Sequence, residues 1–274
     1  MFVYLRADVT ESSFRPRLIS PGCSKYATPM IELYQFPWSP FCLVQKRILE
    51  YGRIPHRVID VPSTDRSKIW KLTRERYYQV PVLKDGRAVL FETDDDSQIL
   101  AKYLDLKHRL ELFPNQWAGV QRILWRSIEH EVESYTFQLN DIYFRDFVPA
   151  EEHGAYVRHK ERKFGRGCIE AWAGNSRELQ AGLAHSLLPF EQMVCDKPYL
   201  LDDRPRFVDF DLWGMLANFL FSGHYRFPSA CPRLKRWHAR MGSCTIPKPS
   251  REKLYSRHKR TPARSRRHSG IRQQ

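Results

Sequence analysis

The stretch Ser39-Pro40-Phe41-Cys42 decides the fold, because of the elements on either side of it. Residues 31–36 before it are rich in β-forming side chains and predict a strand. The periodic apolar run that follows predicts a helix from Pro40 to Tyr51, with proline at its first position. About forty residues further on, Val80-Pro81 begins another predicted strand. A strand that leads into a helix with such a first turn is typical of sites that hold a reactive group at a helix N-terminus.

The rest of the first half continues to alternate strands and helices. Asp85-Gly86 is a strong hairpin signal between two short apolar runs. The predicted elements after the first helix are a strand 56–61, a helix 66–77, two hairpin strands 80–83 and 88–91, and a helix 97–107. The order βαβαββα predicts an α/β domain.

After residue 115 the pattern changes to helices alone. Apolar residues recur every three or four positions from Trp117 to Ile142, which predicts one long helix that ends near Pro149. A second periodic stretch, 156–194, is predicted to break near Gly174-Asn175. The run 207–221 is apolar almost all round and predicts a central buried helix. We therefore expect an all-α second domain.

The chain is expected to divide into four parts. Its 274 residues, 42% of them apolar, exceed one average domain and can bury two modest cores. An α/β domain is predicted at 30–109 and a helical domain at 115–246. Residues 1–29 are an extension, either real or the result of a start assigned upstream of Met30, and 247–274 are a basic tail that we expect to be disordered.

Composition excludes several classes of function. No stretch reaches the roughly 18 continuous apolar residues of a membrane helix, so we expect no membrane partner. The six cysteines include no C-x-x-C pair and no Cys/His spacing suited to zinc, which favours a reducing cytoplasm and predicts no metal. Residues 1–29 lack the apolar core of a signal peptide.

Most of the positive charge lies near the C-terminal end. Of a formal net charge of +14, residues 248–274 supply +9, from ten Lys and Arg against Glu252 alone. Without interleaved aromatic residues or a binding fold, this tail predicts at most weak, nonspecific contacts with nucleic acid. Two charged stretches in the helical half, 129–131 and 158–163, are interpreted as solvent-exposed helix faces rather than metal or phosphate sites.

The order of elements, together with Ser39-Pro40-Phe41-Cys42 and Val80-Pro81, resembles the cytosolic glutathione S-transferase superfamily, in its serine-type, bacterial-like form. The resemblance covers about residues 30–244. It implies a thioredoxin-like N-terminal domain followed by an all-helical C-terminal domain. It also implies glutathione as a co-substrate, a small electrophile as the second substrate, and a homodimer.

The resemblance assigns the chemistry to the first turn of the Pro40–Tyr51 helix. Redox members of the fold carry C-P-x-C there, whereas this chain has Ser39 in place of the leading cysteine, which excludes a disulfide across the turn. By resemblance, the Ser39 hydroxyl stabilises the glutathione thiolate. Cys42 is the rival nucleophile, and its alternative is a small buried core residue.

Glutathione itself is expected to lie along Val80-Pro81, which resembles the family's cis-proline step. The γ-glutamyl end is assigned by resemblance to an acidic-Ser pair, which is Asp96-Ser97 by its spacing from Tyr103-Leu104. Glu92-Thr93 is a competing match. Equally, these residues can serve only to cap the following helix. Trp38, Tyr135 and Trp213 are candidates to line a pocket for an apolar co-substrate, or else belong to the core.

Three functions remain open on the sequence. The first is a glutathione transferase that uses Ser39. The second is a non-catalytic interaction module with the same fold, and the third is a glutathione-dependent reductase or lyase that uses Cys42. They differ in which side chain their activity requires.

Overall fold

The computed structural model describes residues 30–93 and 96–247. The expectations for the extension 1–29 and for the basic tail from 248 onward lie outside the described residues. The division at 109/115 stays a prediction.

The N-terminal region has a thioredoxin-like fold built on a four-stranded sheet in the order β2-β1-β3-β4. Its strands are β1 (Ile31–Gln35), β2 (His56–Asp60), β3 (Val82–Asp85) and β4 (Ala88–Phe91). β1 pairs in parallel with β2 and antiparallel with β3, and β3 forms a hairpin with β4. Helices α1 (Pro40–Tyr51), α2 (Ser67–Leu72) and α3 (Ile99–His108) complete it. The predicted order βαβαββα is confirmed.

Helix α2 ends earlier than the prediction of 66–77. The Thr73 hydroxyl donates to the carbonyl oxygen of Tyr77 at 2.7 Å and accepts from the amide of Tyr77 at 3.1 Å, so this amide bonds to a side chain and not to the Thr73 carbonyl oxygen. Arg74 and Glu75 then adopt positive φ angles of 55° and 64°. The helix prediction was wrong over 73–77 because a side chain replaced the continuing backbone ladder.

The C-terminal region is helical throughout its regular elements. These are α4 (Ala118–Ser127), α5 (Glu133–Ile142), α6 (His153–Phe164), α7 (Cys168–Gly174), α8 (Ser176–Ser186), α9 (Leu188–Met193), α10 (Phe207–Phe221) and α11 (Pro232–Ser243). A π-helical segment, Ile128–Val132, joins α4 to α5, so the predicted long helix exists but ends at Ile142. The break at Asn175 is confirmed, and a further break falls at 165–167, where Gly165 and Gly167 have positive φ.

Helix α10 lies at the centre of the molecule, as its apolar run predicts, and packs on α1 and α5. Gly214 permits the approach to α1, since a Cβ there would lie 2.4 Å from Val44 Cγ2 and 2.8 Å from the Pro40 carbonyl oxygen. At the start of α10, the buried Asp209 carboxylate accepts hydrogen bonds from the Arg206 amide at 2.8 Å and from Trp237 Nε1 at 3.0 Å. One core therefore joins both regions and fixes α1 against the helices.

Across residues 30–93 and 96–247, none of the helices combines the length and apolar character needed to cross a membrane.

Candidate functional site

A cavity opens between the N-terminal end of α1 and the helices α5 and α6. Ser39 and Val80, one residue from each of the two sequence motifs, both line it. The Val80-Pro81 peptide bond is cis. The structure thus brings the Ser39 turn and the proline step together at one opening.

Hydrogen bonds from both regions hold the Ser39 turn. The Ser39 amide donates to the Phe36 carbonyl oxygen at 3.1 Å, and its carbonyl oxygen accepts from the Leu43 amide at 3.0 Å. One residue earlier, the Trp38 carbonyl oxygen accepts from Asn218 Nδ2 on α10 at 2.7 Å. The Ser39 side chain makes no capping hydrogen bond to α1, and its side-chain contact is with the sulfur of Cys42.

Cys42 lies in the first turn of the same helix but faces the interior. Its side chain is fully buried in an apolar cluster with Tyr34, Ile69 and Val82. Burial raises the pKa of the Cys42 thiol to about 12, and a hydrogen bond from Ser39 that favours the thiolate does not offset that effect. The thiol is therefore protonated at neutral pH, which suits a small core residue and gives no support to the rival nucleophile.

Helices α5 and α6 supply the other wall of the cavity. Tyr156 on α6 donates from its hydroxyl to Asp141 Oδ1 at 2.7 Å, and Lys160 forms an ion pair with the same carboxylate. The Lys160 ammonium also lies 5.2 Å from the centre of the Phe137 ring, a cation–π distance. This wall therefore presents aromatic rings with a fixed cation among them.

Two titratable groups on this wall have shifted pKa values. Burial raises the pKa of Glu133 to about 7, against the opposing effect of Lys163 and Lys160. Burial also lowers the pKa of His159 to about 4, and nearby cations, Arg66 first among them, add to the shift. At neutral pH His159 is therefore uncharged and Glu133 is partly protonated, which leaves the cavity with a positive balance.

The family of the first region follows from a direct sequence match. Residues 33–111 match the family model described as glutathione S-transferase, N-terminal domain. This region is therefore similar to the N-terminal domain of glutathione S-transferases. No curated protein sequence matches the chain.

Solved structures extend the likeness over most of the chain. A glutathione transferase from Phanerochaete chrysosporium has a TM-score of 0.69 and 18% identity, covering 81% of this chain and 100% of that one. One from Ceriporiopsis subvermispora, in complex with glutathione, has a TM-score of 0.64 and 15% identity, covering 85% and 99%. Glutaredoxin 2 from Salmonella typhimurium, in complex with glutathione, has a TM-score of 0.61 and 17% identity, covering 78% and 95%. The fold is that of the cytosolic glutathione transferase superfamily, and the serine type stays a prediction.

Within this thioredoxin-like region, Glu92 holds the start of α3. It is buried, and its carboxylate accepts hydrogen bonds from the amides of Ile99 at 2.8 Å and Leu100 at 3.2 Å. Burial raises the pKa of Glu92 to about 8. Thr93 pairs through its backbone with Asp96. Glu92 thus supplies acceptors for the free amides at the N-terminus of α3. Neither Glu92 nor Thr93 lines the cavity, so a role for them in ligand binding stays a prediction.

Asp96 and Ser97 are engaged elsewhere in the glutathione transferase fold. Ser97 Oγ donates to Glu129 Oε1 at 2.6 Å and accepts from Trp125 Nε1 at 3.0 Å, which ties the start of α3 to the helical region. Asp96 forms an exposed ion pair with Lys102 at 2.7 Å. Neither residue lines the cavity that holds Ser39. A ligand role for this pair would require these partners to be exchanged, and it too stays a prediction.

The cationic side chains of the site were missed from the sequence. Lys160 and Lys163 lie in the stretch 158–163, and both line the cavity. The interpretation of that stretch as a solvent-exposed face holds for Lys163, which is exposed, and was wrong for Lys160, which is half-buried. Glu129, in the other charged stretch, is half-buried and accepts a hydrogen bond from Ser97. Arg66 joins the cavity from the residue before α2. Helical periodicity alone does not separate such residues from ordinary surface charges, because the deciding contact is tertiary.

Of the three aromatic candidates, only Trp38 lines the cavity. The Tyr135 ring packs over Gly182, where an added Cβ would lie 2.6 Å from it, and Trp213 stacks on His238 with ring centres 5.5 Å apart. The other aromatic rings at the cavity are those of Phe36, Phe41, Phe137, Tyr156 and Phe164. Among the described residues no group of three or more His, Cys, Asp or Glu is placed to hold a metal ion.

Proposed function

We propose that this protein binds glutathione and activates its thiol for attack on a small electrophile, as a cytoplasmic glutathione transferase of the serine type. In this mechanism the Ser39 hydroxyl donates a hydrogen bond to the glutathione sulfur. The backbone beside Val80-Pro81 pairs with the cysteinyl part of the tripeptide. The observation that carries the proposal is the meeting of Ser39 and Val80 at one cavity, at the N-terminus of α1.

The physical requirement on Ser39 is modest. A free thiol titrates at a pKa of about 8.5, and lowering it by about two units, or about 2.7 kcal/mol, makes most of the sulfur thiolate at neutral pH. A hydrogen bond from a hydroxyl group to a thiolate and the partial positive charge of a helix N-terminus act in the same direction. Pro40 leaves the first turn of α1 without one amide donor, which makes the Ser39 hydroxyl more important.

Two further features belong to the proposal. The neighbours whose structures contain glutathione share this fold, which supports glutathione as the co-substrate. The aromatic side chains of α5 and α6 supply a surface for the electrophile, and a homodimer is expected by resemblance to the family.

A second function, a non-catalytic module with the same fold, is favoured by one observation. Ser97 and Asp96, the residues expected to hold the γ-glutamyl end, are occupied by Glu129 and Lys102 in this structure. In a protein that does not bind glutathione, these two side chains would be free to pair with protein groups in this way. Two measurements distinguish the two functions: whether the protein binds glutathione, and whether turnover of bound glutathione requires Ser39.

The decisive experiment compares the native protein with Ser39→Ala. Calorimetry measures glutathione affinity, ultraviolet difference spectra measure the thiolate fraction of bound glutathione, and turnover is followed with 1-chloro-2,4-dinitrobenzene. We expect native binding at millimolar glutathione or below. Ser39→Ala should lower kcat/KM by about 100-fold and raise the pKa of bound glutathione, with a small change in affinity.

The control is Ser243→Ala, an exposed serine at the end of α11, which should leave every readout unchanged. Absence of binding at millimolar glutathione would favour the non-catalytic module. Binding with an unaffected thiolate fraction in Ser39→Ala would remove Ser39 from the chemistry.

A further inference from the structure

The cavity beside Ser39 has an unusual combination of rings and cations. Three cationic groups lie over aromatic rings that line it. Arg66 lies 5.0 Å from the centre of the Phe36 ring, and Lys163 lies 5.1 Å from that of Phe164. Lys160 lies over Phe137. Arg66 and Lys160 are half-buried, whereas Lys163 is exposed to solvent beside Phe164, which is itself 39% exposed. Cation–π contacts favour these positions of the three charges at the cavity.

The negative charges at the cavity do not balance these cations. Asp141 is paired with Lys160 and accepts the Tyr156 hydroxyl. Within residues 30–93 and 96–247, neither Arg66 nor Lys163 forms a salt bridge with a carboxylate. Glu133 is the other acid in the cavity, and its burial keeps it partly protonated at neutral pH. Positive charge is therefore in excess where a second substrate would sit.

The two unpaired cations lie on different walls. Arg66 stacks on Phe36, which follows β1 on the same wall as Ser39, so it lies within the part of the cavity assigned to the tripeptide. Lys163 lies on α6, in the wall that the helical region supplies, beside the Phe137 and Phe164 rings, which are in contact with 5.0 Å between ring centres. A flat ring packed on these aromatics would bring an acidic substituent within reach of Lys163.

We propose that the co-substrate is an aromatic electrophile that carries a carboxylate, with its ring on Phe137 and Phe164 and its carboxylate on Lys163. This inference rests on the proposed transferase function and names the substrate class of that same cavity. Lys163 determines specificity and takes no part in activation of the thiol, which remains the task of Ser39.

The reaction on a suitable probe is a nucleophilic aromatic substitution. With 4-chloro-3,5-dinitrobenzoate, the glutathione sulfur forms a bond to the ring carbon that bears chlorine, and chloride leaves with the bonding electron pair. The thiol proton passes to solvent. Nothing is oxidised or reduced, and the probe carboxylate is unchanged. The matched neutral probe is 4-chloro-3,5-dinitrobenzamide, in which an uncharged amide of similar size replaces the carboxylate.

The test measures kcat/KM for both probes at saturating glutathione, each divided by its uncatalysed rate with glutathione. We expect the native protein to favour the benzoate by 5-fold or more. Lys163→Gln should remove most of this preference by raising KM for the benzoate, while the benzamide and the glutathione affinity are unaffected. Lys235→Gln, an exposed lysine on α11, removes the same charge elsewhere and should keep the preference.

The possible results distinguish a failure of the proposed transferase function from a failure of the inference about its substrate. Glutathione calorimetry reports on the transferase function alone. Equal use of the two probes, or an equal loss for both in Lys163→Gln, overturns the inference even when turnover is high. If neither probe is turned over, the affinities for 3-nitrobenzoate and 3-nitrobenzamide are compared by quenching of tryptophan fluorescence. Selective binding of the benzoate that is lost in Lys163→Gln supports the anion site. Equal binding of the two compounds rejects it.

Discussion

Asn218 on α10 donates a hydrogen bond from Nδ2 to the backbone carbonyl oxygen of Trp38, at 2.7 Å. This bond joins the central helix to the residue that precedes Ser39. Asn218 is almost completely buried, so water does not compete for the carbonyl oxygen. The position of the Ser39 turn therefore depends on the helical region as well as on α1.

Asn218→Ala should lower both stability and function. It leaves the buried Trp38 carbonyl oxygen without a partner, which costs about 1–3 kcal/mol of the free energy of unfolding. Because the Ser39 turn loses its anchor, turnover should fall more than glutathione affinity does. Chemical denaturation and steady-state kinetics measure the two effects, and Asn175→Ala, at an exposed helix junction, is the control. Unchanged turnover in a destabilised Asn218→Ala would show that the anchor serves stability alone.

Gly214→Ala tests the close contact of α10 with α1. The added methyl group would lie 2.4 Å from Val44 Cγ2 and 2.8 Å from the Pro40 carbonyl oxygen, so the helices must separate. Overpacking of this kind costs about 1–3 kcal/mol, and the shift of α1 should also weaken glutathione binding. Gly119→Ala is the matched control in α4, since nothing lies within 4 Å of its added Cβ. It should be neutral or stabilising by up to about 1 kcal/mol. Equal thermal stability of the two variants would contradict the tight contact.

The sequence predicted best those elements that carry strong local signals. Helix α1 begins and ends at the predicted residues because Pro40 opens it and Gly52 follows it. Helix α10 also matches its predicted bounds, because the helix has no polar face that could lie in solvent and nearly all of it is therefore buried. Helix α11 was not predicted at all, because its apolar positions are few and widely spaced among basic ones.

In the candidate site, too, the residues with strong local signals were predicted and the others were not. Ser39 and Val80 belong to short motifs with a fixed spacing, and both reach the cavity. Arg66 and Lys163 belong to no motif, and their neighbours in sequence are also charged. Whether these cations border the cavity depends on how the helical region packs over the sheet domain, and no local pattern records that.

Three buried acids should make stability fall as pH rises from about 5 to about 8, opposed below about pH 6.5 by His159 and His238, whose pKa values burial lowers to about 4. Burial raises the pKa of Glu92 to about 8, so the folded protein keeps a proton that the unfolded chain releases near pH 4.5. When the folded state binds more protons than the unfolded state, the free energy of unfolding decreases with pH, and here the loss is complete only above pH 8. Glu133, with a pKa of about 7, and Asp209, with one of about 6, act in the same direction.

Glu92→Gln should therefore flatten the pH dependence of the free energy of unfolding between pH 5 and 8. The amide keeps an acceptor for the Ile99 amide at the start of α3 and has no proton to lose. Urea denaturation at several pH values measures the slope. Glu178→Gln, an exposed position on α8, should leave the slope as it is in the native protein. A slope unchanged in Glu92→Gln would mean that Glu92 is ionised in the fold throughout this range.

Cys42→Ala separates the transferase from a reductase or lyase that uses this thiol. Because the Cys42 side chain is fully buried and its pKa lies near 12, we expect glutathione-dependent turnover to stay within about 2-fold of native, with a loss of about 1–2 kcal/mol of stability from the buried sulfur. Of the cysteines in residues 30–93 and 96–247, a thiol-specific reagent should modify the exposed Cys195 first and leave Cys42 unmodified until the chain unfolds, which peptide mass analysis records. Cys195→Ser should abolish that early modification and leave turnover intact. Loss of activity in Cys42→Ala, together with full activity in Ser39→Ala, would transfer the chemistry from the hydroxyl to the thiol.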